Sequence, residues 1–340
     1  MKIAVDAMGG DRAPRDVVEG VSLSSRERGN QVILVGDESQ IRREMARLNG
    51  RANFDSVSLH HASQVIAMGE PPAQAVKHKK DASLVVAARL VREMHANAMV
   101  SMGNTGACMA AALLEMGLLE VVQRPCLPIL IPHHRGSTVL IDAGANIDCR
   151  SSHLVQFAAM GEIYAEQILG IQRPRVGLLN VGEEEGKGNE LVQETYGLLR
   201  QAGVNFIGNV EGGDLTNGRV DVAVCDGFVG NVVLKNIEGV ALAVIEMIKD
   251  AYSRGGYLAQ LGALLSRPAF RLIKKRMDPA AYGGTPLLGV NGTCIIGHGS
   301  SSPWAVSNAV GTAEKFVELR INHLIRERIS QLHLSRGGHG

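Results

Sequence analysis

Ala98-Met-Val-Ser-Met-Gly-Asn-Thr-Gly-Ala-Cys-Met-Ala-Ala-Ala-Leu-Leu114 is the stretch whose reading decides the fold. Its apolar run stops at Gly103-Asn-Thr-Gly106 and resumes as an alanine-rich segment, which reads as a strand, a glycine turn and a helix start. A helix start presents unpaired N–H groups and partial positive charge, and flanking glycines let an anion approach the backbone. The loop therefore reads as a phosphate cradle. It is neither a P-loop nor GxGxxG, and a plain turn without a ligand fits the same residues.

Outward from that unit the same grammar repeats. Lys2 to Ala7 is a β-rich run ending in Asp6-Ala-Met-Gly-Gly-Asp11, and Arg15 to Arg28 has helical spacing stopped by Gly29-Asn30. Ser137 to Ile141 reads as a strand ending in Asp142-Ala-Gly-Ala-Asn146, and His153 to Leu169 as a long helix. Arg175 to Leu179 ends in Asn180-Val-Gly-Glu-Glu-Glu-Gly-Lys-Gly-Asn189, and Val220 to Cys225 in Asp226-Gly-Phe-Val-Gly-Asn231. Alternating strands and helices predict an α/β fold, a three-layer Rossmann-like α/β/α arrangement with a mostly parallel sheet. In such sheets ligands sit outside the carboxyl ends of strands, which is where the Gly, Asn and Asp residues gather, Gly297-His-Gly-Ser-Ser-Ser302 included.

Composition agrees. The 340 residues are 45% hydrophobic but only 4% aromatic, so the core is aliphatic, and 40 glycines suit many tight turns. The balance of 35 Lys and Arg against 34 Asp and Glu gives a formal charge of +1, which removes the basic field that nucleic-acid binders use. Five dispersed cysteines without metal-type spacing read as a reduced, cytoplasmic protein. A strand from the first residues reads as a fold with no targeting peptide ahead of it. The long apolar stretches carry charges such as Lys235 and Glu238, so no membrane span is expected.

Taken together, these loops resemble one family, the bacterial acyl-carrier-protein:phosphate acyltransferases of phospholipid synthesis (the PlsX family). The matching stretches are Val5 to Asp11, Ser101 to Gly106, Ile141 to Asn146, Val181 to Asn189, Cys225 to Lys235, Leu287 to Gly292 and Gly297 to Gly299, in order over nearly the whole chain. Met102 stands where the family has a small residue and Gly186 where it has an aliphatic one. The resemblance implies transfer of a fatty acyl group from acyl-carrier protein to inorganic phosphate. It also implies a fold related to phosphotransacetylases and isocitrate-dehydrogenase-like enzymes. A homodimer, peripheral attachment to the inner face of the cell membrane, and a downstream acyl-phosphate:glycerol-3-phosphate acyltransferase follow from it too. Neither metal nor nicotinamide is implied, so no cofactor is expected.

Thioester phosphorolysis needs a held phosphate, a site for the developing oxyanion and help for the leaving thiolate. Lys187, between two glycines in a strand-end loop, is the expected cation; a solvated lysine balancing Glu183, Glu184 and Glu185 is the other reading. Asn231 and His298 complete the expected catalytic set, His298 in proton transfer or as a turn residue. Gly103, Asn104, Thr105, Gly106, Asp142, Asn146, Asn180, Asp226 and Gly227 are expected around phosphate and substrate, although strand-end aspartates, Asp6 and Asp11 among them, also serve as caps and turn formers. Cys225 reads as buried. Lys77, Lys79 and Lys80 form a basic patch for the acidic carrier protein, or a solvated face.

One unit over 1–330 is expected, with a flexible tail over 331–340 and an amphipathic helical hairpin at about 252–278. Its two short helices are placed at about Tyr257 to Ser266 and Pro268 to Arg276. Leu258, Leu261 and Leu265 would form an apolar face edged by Lys274 and Lys275, suited to an anionic membrane surface. A hairpin packed on a partner subunit fits the same residues. A nicotinamide-dependent dehydrogenase is the alternative enzyme, weakened by the lack of GxGxxG after the first strand; a non-catalytic carrier-binding protein is the alternative outside enzymes.

Overall fold

The structure, a computed structural model, describes residues 1–48, 50, 52–277 and 283–337, without the side chains of 273–277 and 333–337. The first part of the chain holds β1 (Lys2–Asp6), α1 (Arg15–Arg28), β2 (Gln31–Gly36), α2 (Glu38–Arg47), β3 (Val57–His61), α3 (Pro72–His78), α4 (Ser83–Arg92), β4 (Ala98–Ser101) and α5 (Thr105–Ala111). A π-helical turn over Ala112–Met116 extends α5. The second part holds β5 (Pro128–His133), β6 (Gly136–Ile141), α6 (Ser151–Leu169), β7 (Val176–Leu179), α7 (Glu190–Leu199), β8 (Phe206–Val210), α8 (Asp214–Asn217), β9 (Val222–Val224), α9 (Gly227–Arg254) and α10 (Gly256–Met277). The chain then returns through β10 (Thr285–Pro286), β11 (Thr293–Ile296), α11 (Pro303–Glu318) and α12 (Ile321–Gly337).

The strands divide between two sheets. The first has the order β10-β11-β4-β1-β2-β3 and the second β5-β6-β9-β7-β8. All pairings are parallel except β10 with β11 and β5 with β6, which close one edge of each sheet. Alternation along β1 shows how each sheet is sandwiched. Ile3 and Val5 join the cluster built with α1, α11 and α6, whereas Ala4 faces α4 and α5 on the other side. The first cluster continues unbroken from Leu34 and Val100 of one sheet through Phe157 and Met160 of α6 to Leu178 and Val224 of the other. One aliphatic core thus joins both sheets, and the parallel, helix-covered architecture read from the alternating pattern is built twice.

Helix α9 covers the outer face of the second sheet only with its first turns, through the buried Gly227 and Gly230 and the partly buried Val233 and Ile237. Beyond them it is exposed. α9 is long and apolar enough to cross a membrane by length and composition alone, with a mean hydropathy of 1.6 over an 18-residue window of which 6% is buried. Lys235 and Glu238, which pair at 3.1 Å, are too few to lower that average.

The 252–278 region also differs from its reading. The break at Gly255-Gly256 is real, with Gly256 at φ +75°, but it separates α9 from one long α10. Pro268 lies inside α10. A proline removes one backbone bond and crowds the preceding turn, which can bend a helix without ending it. The Tyr252 and Phe270 rings meet edge to face at 5.9 Å, so α10 turns back on α9. Leu258, Leu261 and Leu265 are exposed on α10, whereas the side chains of Lys274 and Lys275 lie outside the described ones. Helix α12 runs to Gly337, into the stretch expected as a tail, and 338–340 lie outside the described residues.

Close packing of α9 on the second sheet yields a paired stability test. A Cβ added at Gly230 would fall 1.9 Å from the Asp142 carbonyl oxygen, whereas nothing lies within 4 Å of one added at Gly197 in α7. Gly230→Ala is expected to destabilise by about 1–3 kcal/mol or more, and Gly197→Ala to stabilise by roughly 0.5–1 kcal/mol, both measured by denaturant unfolding.

Candidate active site

At the carboxyl end of the first sheet, β1 ends on Asp6, whose buried carboxylate collects its neighbours. Ser101 Oγ donates to Asp6 Oδ2 at 2.6 Å, and the Gly103 N–H donates to Ser101 Oγ at 3.0 Å. The Met8 N–H donates to Asp6 Oδ1 at 3.1 Å. Gly9 has to be glycine, since an added Cβ would stand 2.5 Å from Asp6 Oδ2 and 2.7 Å from the Gly103 nitrogen. The β1–α1 and β4–α5 loops are thereby locked together. The Asp11 N–H donates to the Gly299 carbonyl at 2.8 Å, which brings in the loop after β11. Burial pushes the Asp6 carboxyl above its ordinary range, and the hydroxyls of Ser101 and Ser83 with the Met8 and Gly9 N–H groups pull it back.

Asn104 caps α5, its Oδ1 accepting from the Ala107 N–H at 3.0 Å, while its Nδ2 donates to the Met68 carbonyl at 2.7 Å and the Glu70 carbonyl at 3.3 Å. Both ends of that side chain are thus committed to the protein. Gly106 packs against Pro72, 2.7 Å from an added Cβ. Among the described residues no hydrogen bond occupies the N–H groups of Thr105 and Gly106, so the cradle narrows to the first turn of α5.

The second sheet repeats the device. Asp142, buried after β6, accepts from the N–H groups of Leu127 and Ala145, each at 3.0 Å, and from the Asn146 N–H and Nδ2, each at 2.8 Å. Burial raises its carboxyl despite these four bonds. The Asn146 amide also donates to the Pro125 carbonyl at 2.7 Å, and its own carbonyl accepts the Gly227 N–H at 2.7 Å. Asp226 caps α9 by accepting the Val229 N–H at 2.8 Å. Asn180 donates to the Lys187 carbonyl at 3.1 Å and accepts from the Val181 N–H at 2.8 Å. The side chains of Asp142, Asn146, Asp226 and Asn180 therefore organise loops. Asn231 differs, being exposed, and a Cβ added at Gly144 would stand 3.6 Å from its side chain.

Lys187 is exposed, and among the described residues its ammonium has no hydrogen bond or ion pair. Of the acids it could balance, Glu183 pairs with Arg219 and Glu185 with Arg200 at 3.4 Å, whereas Glu184 makes no ion pair among the described residues and stays beside it. The Lys187 stem lies along Gly182, where an added Cβ would be 3.3 Å from Lys187 Cγ. The exposed His298 is bound within its own turn, with Nδ1 2.8 Å from Ser300 Oγ and accepting the Ser300 N–H at 3.3 Å. A neutral ring then carries its proton on Nε2.

Lys79 is held by Glu70 at 2.7 Å and by the Val65 carbonyl at 2.8 Å, so of the expected docking lysines only Lys77 and Lys80 keep unpaired ammonium groups among the described residues. Burial pushes the Cys108 and Cys149 thiols up to about 12 and those of Cys126, Cys225 and Cys294 well above their ordinary value, which leaves little thiolate at neutral pH. A cavity of about 680 Å³ lies at the opposite, amino end of the first sheet, lined by Lys2, Gln31, His60 and His95 among others, away from the strand-end loops. Sequence reasoning missed Ser101 and left Asp6 as a cap or turn former; the signal was an aspartate ending one central strand beside a serine ending the next.

A family model described as fatty acid synthesis protein matches residues 1–324. A phosphate acyltransferase of Pelotomaculum thermopropionicum is 51% identical over 338 residues, covering 99% of this chain and 98% of that protein. Another from Aquifex aeolicus is 49% identical over 322 residues, 95% of each. Among solved structures, a phosphotransacetylase from Streptococcus pyogenes superposes with a TM-score of 0.59 at 16% identity, covering 97% of this chain and 94% of that one. A 4-hydroxythreonine-4-phosphate dehydrogenase from Salmonella typhimurium superposes with 0.52 at 12% identity, covering 92% and 98%. Both likenesses concern the fold alone.

The buried Asp6 hub generates a pH test. A carboxyl raised in the folded state contributes stability that is fully present below its unfolded value, near 3.9, and is lost as pH rises through the raised folded value. The stability difference between wild type and Asp6→Asn is therefore expected to widen as pH falls from 7 toward 4, measured by urea unfolding at each pH.

Proposed function

The chain belongs to the phosphate acyltransferase family, and on that premise we propose that it moves a fatty acyl group from acyl-carrier protein to inorganic phosphate. A phosphate oxygen attacks the thioester carbonyl carbon, the C–S bond breaks, and the proton of hydrogen phosphate ends on the released carrier thiol. The products are acyl phosphate and free carrier protein. Phosphate is already a competent nucleophile, so positioning and charge stabilisation supply the acceleration.

The observation that carries this reading is Lys187, a cation exposed in a strand-end loop and unpaired among the described residues, with Glu183 and Glu185 beside it held by arginines. Lys187 holds the phosphate or the developing oxyanion. The open N–H groups of Thr105 and Gly106 are the second anion contact, Asn231 is an amide at the rim without a side-chain hydrogen bond among the described residues, and His298 Nε2–H donates a hydrogen bond to the leaving sulfur. Lys77 and Lys80 meet the acidic carrier protein. The dehydrogenase likeness does not favour nicotinamide chemistry, because a shared fold does not fix the reaction.

The same reading makes the protein a cytoplasmic homodimer held peripherally at the inner face of the membrane, where a downstream acyl-phosphate:glycerol-3-phosphate acyltransferase takes its product. Supporting it, α10 exposes Leu258 at 84% and Leu265 at 73% on a helix that also carries the exposed Arg267 and Arg271. Such a face suits an anionic lipid surface, with each basic residue near it worth about 1 kcal/mol.

Two outcomes follow. Lys187→Ala is expected to keep the fold and lower turnover by roughly two orders of magnitude, the scale of losing one preorganised charge-stabilising group, read as phosphate-dependent loss of acyl thioester. Near-normal turnover at saturating phosphate would remove Lys187 from the mechanism. In co-sedimentation with anionic vesicles, wild type is expected to bind and a folded Leu261→Glu, Leu265→Glu variant to stay in solution; equal behaviour of the two would rule out the hairpin as the contact.

A further inference from the structure

Ser101 is buried at the end of β4, in register with Asp6 of β1 on one side and Ile296 of β11 on the other. Its polar atoms are committed to different loops. The hydroxyl proton goes to Asp6 Oδ2 at 2.6 Å, so toward Gly103 the oxygen can only accept, which it does from the Gly103 N–H at 3.0 Å. The Ser101 carbonyl accepts the Gly297 N–H at 2.9 Å. His298 follows Gly297 directly, and Thr105 lies two residues beyond Gly103. One residue is therefore bonded to the start of the Gly103–Gly106 loop and to the start of the histidine turn. Met102 leaves no slack between them. A Cβ added at Gly297 would fall 1.9 Å from its sulfur, and one added at Gly10 would fall 3.3 Å from its Cβ.

We infer that Ser101 is a positioning residue for the acyl transfer: its hydroxyl, held by Asp6, fixes where the Gly103–Gly106 loop presents phosphate relative to His298. It acts through Gly103 and not on either substrate. The reacting atoms have to be held closely, and a misplacement of about 1 Å costs about 10²-fold in rate. The carbonyl bond to Gly297 belongs to the backbone and survives a change of side chain, so removing the hydroxyl releases the Gly103 side alone. The effect therefore falls on phosphate and not on the carrier protein. This rests on the reading of that loop as a phosphate contact in acyl transfer.

Ser83 supplies the control, because its buried hydroxyl reaches the same Asp6 carboxylate and bonds neither loop among the described residues. Wild type, Ser101→Ala, Ser101→Cys and Ser83→Ala are compared by phosphate-dependent release of thiol from palmitoyl-carrier protein. Phosphate is varied at saturating carrier protein, then the reverse, with thermal unfolding of each variant. Ser101→Ala is expected to raise the phosphate KM about tenfold, the scale of one lost hydrogen bond, and to leave the carrier-protein KM unchanged. Ser101→Cys keeps an S–H for Asp6 but accepts the Gly103 N–H weakly, so it is expected to fall between wild type and Ser101→Ala, and it carries the test if Ser101→Ala fails to fold. Ser83→Ala is expected to leave both KM values unchanged although it takes a donor from the same carboxylate. An unchanged phosphate KM in the Ser101 variants, an equal rise in both KM values, or the same rise in Ser83→Ala would overturn the positioning role while leaving the reaction standing. Wild type that releases no thiol in response to phosphate would overturn the reaction and the role together.

Discussion

Two buried carboxylates hold the site loops in place. Asp6 ends a central strand of the first sheet and Asp142 follows a strand of the second, and each gathers hydrogen-bond donors from loops that would otherwise diverge. A buried carboxylate is costly unless its oxygens are satisfied. Asp142 meets four donors and Asp6 is reached by two serines and two backbone N–H groups, so each loop conformation depends on its carboxylate and each carboxylate on its loop. Gly9 and Gly230 mark where backbone comes so close to these hubs that no side chain fits.

Parallel pairing then places the hubs where they matter. Strands that run the same way deliver their carboxyl ends to one edge, and the helices that follow point their N-termini toward it. The polar loops present N–H groups of α5, the Lys187 ammonium of the β7–α7 loop and the Asn231 amide of α9, each without a hydrogen-bond partner among the described residues. Little of this requires a reactive side chain, which accords with a reaction whose nucleophile arrives as a substrate.

The sequence made the fold legible through its punctuation. Gly103-Asn-Thr-Gly106 does separate a strand from a helix, and α1 begins at Arg15 and ends at Arg28 as its spacing predicts. The division into two sheets was not legible, because pairing between β4 and β11 joins residues about two hundred positions apart and leaves no local trace. The site was half legible. The strand-end loops could be read as its place, but Asn104, Asn146, Asn180, Asp142 and Asp226 turn polar atoms to the backbone, and composition cannot show which way a short polar side chain bonds. Lys187 stands out in the sequence as a lysine between two glycines of a strand-end loop, and it is the family resemblance that favours it over a lysine balancing its acidic neighbours. Pro268 misled because a proline bends as well as ends a helix.

Whether these loops serve acyl transfer to phosphate is tested most directly by identifying the product. Purified protein incubated with palmitoyl-carrier protein and radiolabelled phosphate, with solvent extraction of labelled lipid and titration of released carrier thiol, reads both sides of the reaction. The account predicts lipid-soluble acyl phosphate carrying the label in equal amount to free carrier thiol, with no thiol released when phosphate is omitted. Thiol release without phosphate and with free fatty acid as the product, or no release by folded protein, would contradict it.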